Sequence, residues 1–149
     1  MKQYDGVMPL IGRLLITLVF LASAATKIMY WNGSADLVAT KLPMPSLMLG
    51  ASAAVEILGS LCLLLGFQAR IAAFIVFLYL LPTTFIFHDF WNMQDGLRAD
   101  NKMHFLKNLA VMGGLLMVSA YGAGKWSIDA LWSGVSKSGS SAPAKRPVR

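Results

Sequence analysis

Apolar residues along the chain are gathered in four long blocks separated by shorter polar stretches. A helix that crosses a hydrocarbon core about 30 Å thick needs roughly 20 such residues in succession. Each block is close to that length, which is typical of membrane-spanning helices. The pattern predicts an all-α membrane protein built as a bundle of four transmembrane helices. The predicted spans are residues 9–28, 46–65, 69–88 and 102–121.

Four crossings return a chain to the side on which it started, so the N- and C-termini are predicted to lie on the same side of the membrane. Residues 1–132 form the predicted membrane domain, and its last part carries Trp126 and Trp132. Tryptophan rings concentrate at the headgroup level of a bilayer, which favours an interfacial segment here. Residues 133–149 are rich in Ser, Gly, Pro, Ala and basic residues, a composition that predicts a flexible basic tail.

Composition and charge support a membrane protein and narrow its partners. Only 13% of the 149 residues are charged, against about a quarter in a soluble domain. The net charge of +6 is concentrated near the C-terminus, where five of the 13 basic residues follow the last span. This position favours anionic lipid over nucleic acid as a partner, and it predicts cytoplasmic termini by the positive-inside rule. Cys62 is the single cysteine, so an internal disulfide is excluded.

Polar side chains inside the spans are the candidates for function. An ionisable group costs at least about 2.5 kcal/mol in hydrocarbon, so it usually faces the bundle interior and has a partner. Glu56 is about ten residues, or about 15 Å, from the outer end of its span, near the membrane midplane. Other polar residues lie near the ends of the spans on the side of the membrane opposite the termini. We expect one cluster in the outward half, formed by Lys27, Glu56, His88, Asp89, His104, Lys107 and Asn108.

These residues also have purely structural interpretations. A buried Glu56–Lys107 pair could fix helix register without any chemistry. Lys27 and His88 lie near helix ends, where long polar side chains reach the interface. Arg13 lies apart, near the cytoplasmic end of the first span, and is interpreted as a structural intramembrane charge. His88, Asp89 and His104 lack the close spacing of a metal motif, so no metal site is predicted.

Five short runs stand in a characteristic order along the chain. They are Leu10 to Leu15 with Phe20 and Lys27, Glu56-x-x-Gly59 with Gly66-x-x-x-Arg70, Phe87 to Trp91, His104 to Leu109, and Gly124 to Asp129. In their order and spacing, over about residues 8–130, the chain resembles the DoxX family of membrane proteins. Ala24 and Ser60 stand where that family usually has glycine, a change that concerns helix packing.

The resemblance implies a multi-pass protein of the bacterial inner membrane. It also implies a link to quinone-coupled oxidation of thiosulfate, or to membrane oxidoreductase complexes that handle thiols and oxidative stress. Many members of the family have no assigned activity, and a shared fold does not carry a reaction with it.

Two classes of function follow. In the first, the protein is a membrane subunit or partner of a quinone-linked or thiol-related oxidoreductase complex. The seven clustered residues would then bind a polar head group or move protons, and a quinone would be the bound cofactor. No intrinsic cofactor is predicted, so electrons would come from a partner subunit. In the second, the protein is a non-catalytic accessory, anchoring or assembly subunit.

A small-molecule transporter is a weaker third alternative, because the sequence shows neither repeats nor interrupted helices. Whether the protein is itself an enzyme, and whether it forms a homo-oligomer, stays open at this stage.

Overall fold

The computed structural model describes residues 6–138, with side chains for residues 6–133. Four helices of this part of the chain are long and apolar enough to cross a membrane, and they confirm the predicted all-α, four-span fold. Two shorter helices and one 3₁₀ turn, Phe90–Asn92, connect or follow them. In chain order the helices are α1 Val7–Met29, α2 Trp31–Ala39, α3 Pro45–Leu65, α4 Ala69–Phe87, α5 Asp95–Tyr121 and α6 Ile128–Ser138.

Local sequence signals explain where α3 begins and ends. Pro45 occupies its first turn, where the missing N–H has no helical partner to lose. Gly66 ends α3 with a φ of 65°, a left-handed conformation that glycine adopts without strain. The Phe67 N–H then donates to the Cys62 carbonyl at 2.9 Å, which closes the last turn. The chain therefore reverses within a few residues and enters α4.

Two boundaries differ from the hydropathy pattern. α5 begins at Asp95 rather than at residue 102, because its first turns are polar and carry an Asp95–Arg98 ion pair at 3.3 Å. An acidic residue in the first turn also interacts favourably with the helix dipole. The C-terminal tail was predicted to begin at residue 133, yet α6 continues to Ser138. The rest of the predicted tail, residues 139–149, lies outside the described residues.

The four spans form a ring in which α1 and α3, α3 and α4, α4 and α5, and α5 and α1 are neighbours. The short helix α2 packs against α3 and α1. All four spans contribute to one apolar core, while much of their outer surface carries exposed apolar side chains that suit contact with lipid. The core residues are Phe20, Leu63, Ala73, Val76, Leu80, Met112 and Leu115.

One end of the bundle is closed by Arg13 and by the segment that precedes α6. The Arg13 guanidinium donates to the carbonyls of Leu63 and Leu64 at 2.8 and 3.1 Å, and to the Trp126 carbonyl at 2.5 Å. At the same end, the Asp129 carboxylate accepts the N–H groups of Gln68 and Ala69 at 2.7 and 2.9 Å, which caps α4. We call this end, which brings together the start of α1, the α3–α4 turn and α6, the terminal end. The opposite end is the loop end.

Candidate functional site

A buried ion pair lies between α1 and α3 in the loop-end half of the bundle. The Lys27 ammonium is 2.5 Å from Oε1 of Glu56, whose residue is only 4% exposed. The sequence offered a Glu56–Lys107 pair as a structural alternative, and the structure pairs Glu56 with Lys27 instead. α3 and α1 are neighbours in the ring, whereas α5, which carries Lys107, packs against α4 and α1. Lys27 therefore reaches the carboxylate directly.

Three hydroxyl groups complete this polar network. The hydroxyls of Tyr79 and Ser23 donate to Glu56 Oε1 at 2.9 and 3.2 Å. The Ser52 hydroxyl lies 2.6 Å from the Lys27 nitrogen and 2.7 Å from the Tyr79 oxygen. We call Lys27, Glu56, Tyr79, Ser23 and Ser52 the pair network. It joins α1, α3 and α4 through side chains alone.

Sequence reasoning missed the three hydroxyl residues of the pair network. Ser23 and Ser52 each precede a charged member by four residues, the spacing that places two side chains on one helix face. That signal was available for both serines. Tyr79 gave no comparable signal, because it lies in an apolar helix and meets Glu56 only when α4 packs beside α3.

A cavity of about 840 Å³ opens beside the pair network, which forms part of its wall. Its volume is in the range of sites that hold small organic molecules. Most of the lining is apolar, with contributions such as Val19, Leu49, Val55 and Ile86. The cavity therefore combines an apolar chamber with one concentrated polar wall.

The predicted cluster divides into three parts. Five of its seven residues line this main cavity, namely Lys27, Glu56, His88, Lys107 and Asn108. His104 lines a second cavity of about 510 Å³ at the loop end. Asp89 lines neither cavity and instead forms an ion pair with Lys41 at 3.0 Å, which ties the connection before α3 to the connection after α4. His88 and Asp89 thus do not act as one unit on the main cavity.

His88 lies between the two cavities and lines both. Its ring stacks on that of His104, with 5.3 Å between ring centroids, and its Nδ1 is 3.2 Å from Oδ1 of Asn101. Lys107 Nζ is 3.4 Å from His104 Nδ1, a long contact between exposed side chains. The imidazoles are therefore placed between the main cavity and the polar surface at the loop end.

Two other predicted residues have structural partners. Asn108 donates to the hydroxyl of Thr84 at 3.1 Å, and Thr84 in turn donates to the Leu80 carbonyl at 2.7 Å. Arg13 lies at the terminal end, outside the lining of the main cavity. Among the residues that the structure describes, no group of three His, Cys, Asp or Glu side chains is arranged to hold a metal ion.

Most of the chain is similar in sequence to known membrane proteins. A family model described as DoxX matches residues 8–89. Inner membrane protein YqjF of Escherichia coli (strain K12) is 32% identical, over 88% of this chain and 96% of the relative. Inner membrane protein YphA of the same organism is 30% identical, over 83% of this chain and 89% of the relative.

A more distant relative is much longer than this chain. ER-derived vesicles protein ERV29 of Saccharomyces cerevisiae is 26% identical, and the match spans 83% of this chain but 33% of that protein. No solved structure matches the chain significantly.

Proposed function

The chain belongs to the DoxX family of inner-membrane proteins, and from this premise we propose that it is a membrane subunit or partner of a quinone-linked or thiol-related oxidoreductase complex. The observation that carries the proposal is the main cavity, where a buried Lys27–Glu56 pair meets an apolar chamber of about 840 Å³. A molecule with an apolar tail and a polar head group fits both parts of this cavity.

The side chains around the cavity suit quinone chemistry. Interconversion of quinone and quinol moves protons as well as electrons, so groups that give and take protons must stand beside the head group. Glu56, Tyr79 and His88 are such groups, and each lines the main cavity. His88 also lines the second cavity, so it offers a route for protons between the head group and the loop-end solution.

Electrons are expected to come from, or go to, another protein. A dithiol that exchanges electrons needs two cysteines, and this chain has only Cys62. The role assigned to this protein is therefore to hold the lipophilic substrate and to manage its protons, while a partner supplies the redox centre. With cytoplasmic termini, the main cavity lies in the half of the membrane that faces away from the cytoplasm.

The test is to purify the protein in its native lipids and to measure the quinone that remains bound. Val55→Phe, which places a ring in the main cavity, is expected to lower the bound quinone several-fold. Leu58→Phe is the matched control on the same helix, because Leu58 is 63% exposed on the outer surface. Absence of quinone from the wild-type protein, or equal loss in both variants, would contradict the proposal.

A non-catalytic accessory role is the second candidate, and one observation favours it. The pair network connects three helices, as a device that fixes helix register would. The two roles differ for Glu56→Gln in native membranes. A catalytic role predicts loss of quinone-linked activity while the fold and the partner complex persist, whereas an accessory role predicts loss of the complex with no separate activity to lose.

A further inference from the structure

The two oxygens of the Glu56 carboxylate have very different surroundings. Oε1 accepts three hydrogen bonds, from Lys27, Tyr79 and Ser23, at 2.5, 2.9 and 3.2 Å. Oε2 is buried and accepts no hydrogen bond from any described residue. A buried acceptor without a donor costs free energy, and carboxylate oxygens are strong acceptors. The pair network therefore presents one strong acceptor whose capacity is unused.

The donors of the pair network, by contrast, are all engaged. An ammonium group has three N–H donors, and those of Lys27 are directed to Glu56, Ser52 and Tyr79. The single hydroxyl hydrogen of Tyr79 goes to Glu56, so the Ser52 hydroxyl donates to Tyr79. The Ser23 hydroxyl donates to Glu56 as well. A head group that only accepts hydrogen bonds finds no unused donor here.

From this asymmetry we propose that the Glu56 carboxylate, which lines the main cavity, turns its buried Oε2 toward a ligand that donates a hydrogen bond to it through O–H, and that the cavity selects ligands of this kind. Within the quinone-linked role, on which this inference rests, the preferred ligand is the hydroxyl-bearing quinol rather than the quinone. The apolar lining receives the tail. Glu56 distinguishes the two oxidation states of the head group, because only the quinol has an O–H group to donate.

The direct test measures binding of three probes to the wild-type protein in lipid nanodiscs under argon. The probes are decylubiquinol, decylubiquinone and the dimethyl ether of decylubiquinol, which keeps the tail and the ring but has no O–H group. We expect decylubiquinol to bind about tenfold more tightly than either of the others, equivalent to about 1.4 kcal/mol.

Glu56→Gln provides the sharper test, because it changes the chemistry at one atom. The amide oxygen is held by the donors that now face Oε1, so the amide nitrogen takes the position of Oε2 and becomes a donor. The preference is then expected to reverse in favour of decylubiquinone. Ser23→Ala is the matched control, since it removes one donor from Oε1 and leaves Oε2 unchanged, so the preference for quinol should persist.

The possible results distinguish failure of the quinone-linked function from failure of quinol selection. Failure of all three probes to bind would contradict the quinone-linked function itself. Equal binding of quinol and quinone, or tighter binding of quinone, would overturn the proposed selection while leaving that function in place. If Glu56→Gln does not fold, the comparison of decylubiquinol with its dimethyl ether on the wild-type protein decides the question alone.

Discussion

Arg13 and Glu56 are both almost fully buried inside the bundle, at 1% and 4% exposure, yet their surroundings differ. Among the residues that the structure describes, the Arg13 guanidinium donates its hydrogen bonds to backbone carbonyls, two of them at the C-terminal end of α3. The Leu63 carbonyl also accepts the Gly66 N–H at 3.2 Å, whereas the Leu64 carbonyl lies in the last turn, where the helix itself supplies no donor. Arg13 therefore provides donors to the end of α3, where hydrocarbon supplies none. Glu56 instead faces side chains from three helices and a cavity. We therefore propose a structural role for Arg13 and a ligand-binding role for Glu56.

Replacing Arg13 tests its structural role. Arg13→Met removes a donor from three carbonyls and is expected to lower the free energy of unfolding by about 1–3 kcal/mol for each carbonyl left without a donor. Arg13→Lys should lower the free energy of unfolding by a smaller amount than Arg13→Met. The lysine ammonium can still donate, but it cannot reach carbonyls in two directions as the planar guanidinium does. Thermal unfolding in detergent, followed by circular dichroism, measures both.

Arg98→Met is the control for Arg13, since Arg98 is exposed and its ion pair with Asp95 is worth at most about 1 kcal/mol. An Arg13→Met protein that unfolds at the same temperature as Arg98→Met would contradict the structural role.

At the scale of the helices, one close contact between neighbouring spans occurs where α3 meets α4. A Cβ added at Gly59 would collide with the side chain of Val76, which is fully buried. Glycine at this position therefore lets two helix backbones approach, as small residues do in membrane bundles. This contact holds α4 beside α3 and so keeps Tyr79 within reach of Glu56.

Gly59→Ala should lower stability by about 1–3 kcal/mol through overpacking. The same substitution is expected to cost less in a Val76→Ala background, because the side chain that it meets is gone. Gly113→Ala in α5 is the matched control: nothing lies within 4 Å of the added Cβ, so a neutral or slightly stabilising effect is expected. Additive effects of Gly59→Ala and Val76→Ala in thermal unfolding would argue against the contact.

At the scale of the whole molecule, the two ends of the bundle have different characters. The terminal end is closed by Arg13 and by the Asp129 cap, and the sequence places Arg70 and Lys125 near it. The loop end carries the second cavity and the stacked imidazoles of His88 and His104. The positive-inside rule predicts that the terminal end faces the cytoplasm.

Labelling with a membrane-impermeant maleimide tests this orientation in a Cys62→Ala background. Asp36→Cys, on the exposed face of α2 at the loop end, should react in intact spheroplasts. Ser133→Cys, exposed on α6 at the terminal end, should react only after the membrane is permeabilised. The opposite pattern would reverse the orientation. Leu58→Cys on the lipid-facing surface is the control, and it should stay unlabelled in both conditions.

The sequence by itself determined that four helices span the membrane. Hydrocarbon requires length, apolarity and an internally bonded backbone, and these are local properties of each segment. It also indicated that polar residues converge in one half of the bundle, because the depth of a residue follows from its position along a span. Hydropathy misplaced the start of α5, since its first turns are polar and stand beyond the apolar block.

Only the tertiary structure decided which polar residues meet. Lys27 and Lys107 both belong to the outward-half cluster predicted around Glu56, and the choice between them depended on the order of helices around the ring. That order is set by side-chain packing between segments distant in sequence, such as Gly59 against Val76. The hydropathy of a single segment does not depend on this packing and cannot predict it. The same packing brought Tyr79 to the carboxylate and opened the cavity beside it, because a hydroxyl or a void acquires its role only from the neighbouring helix.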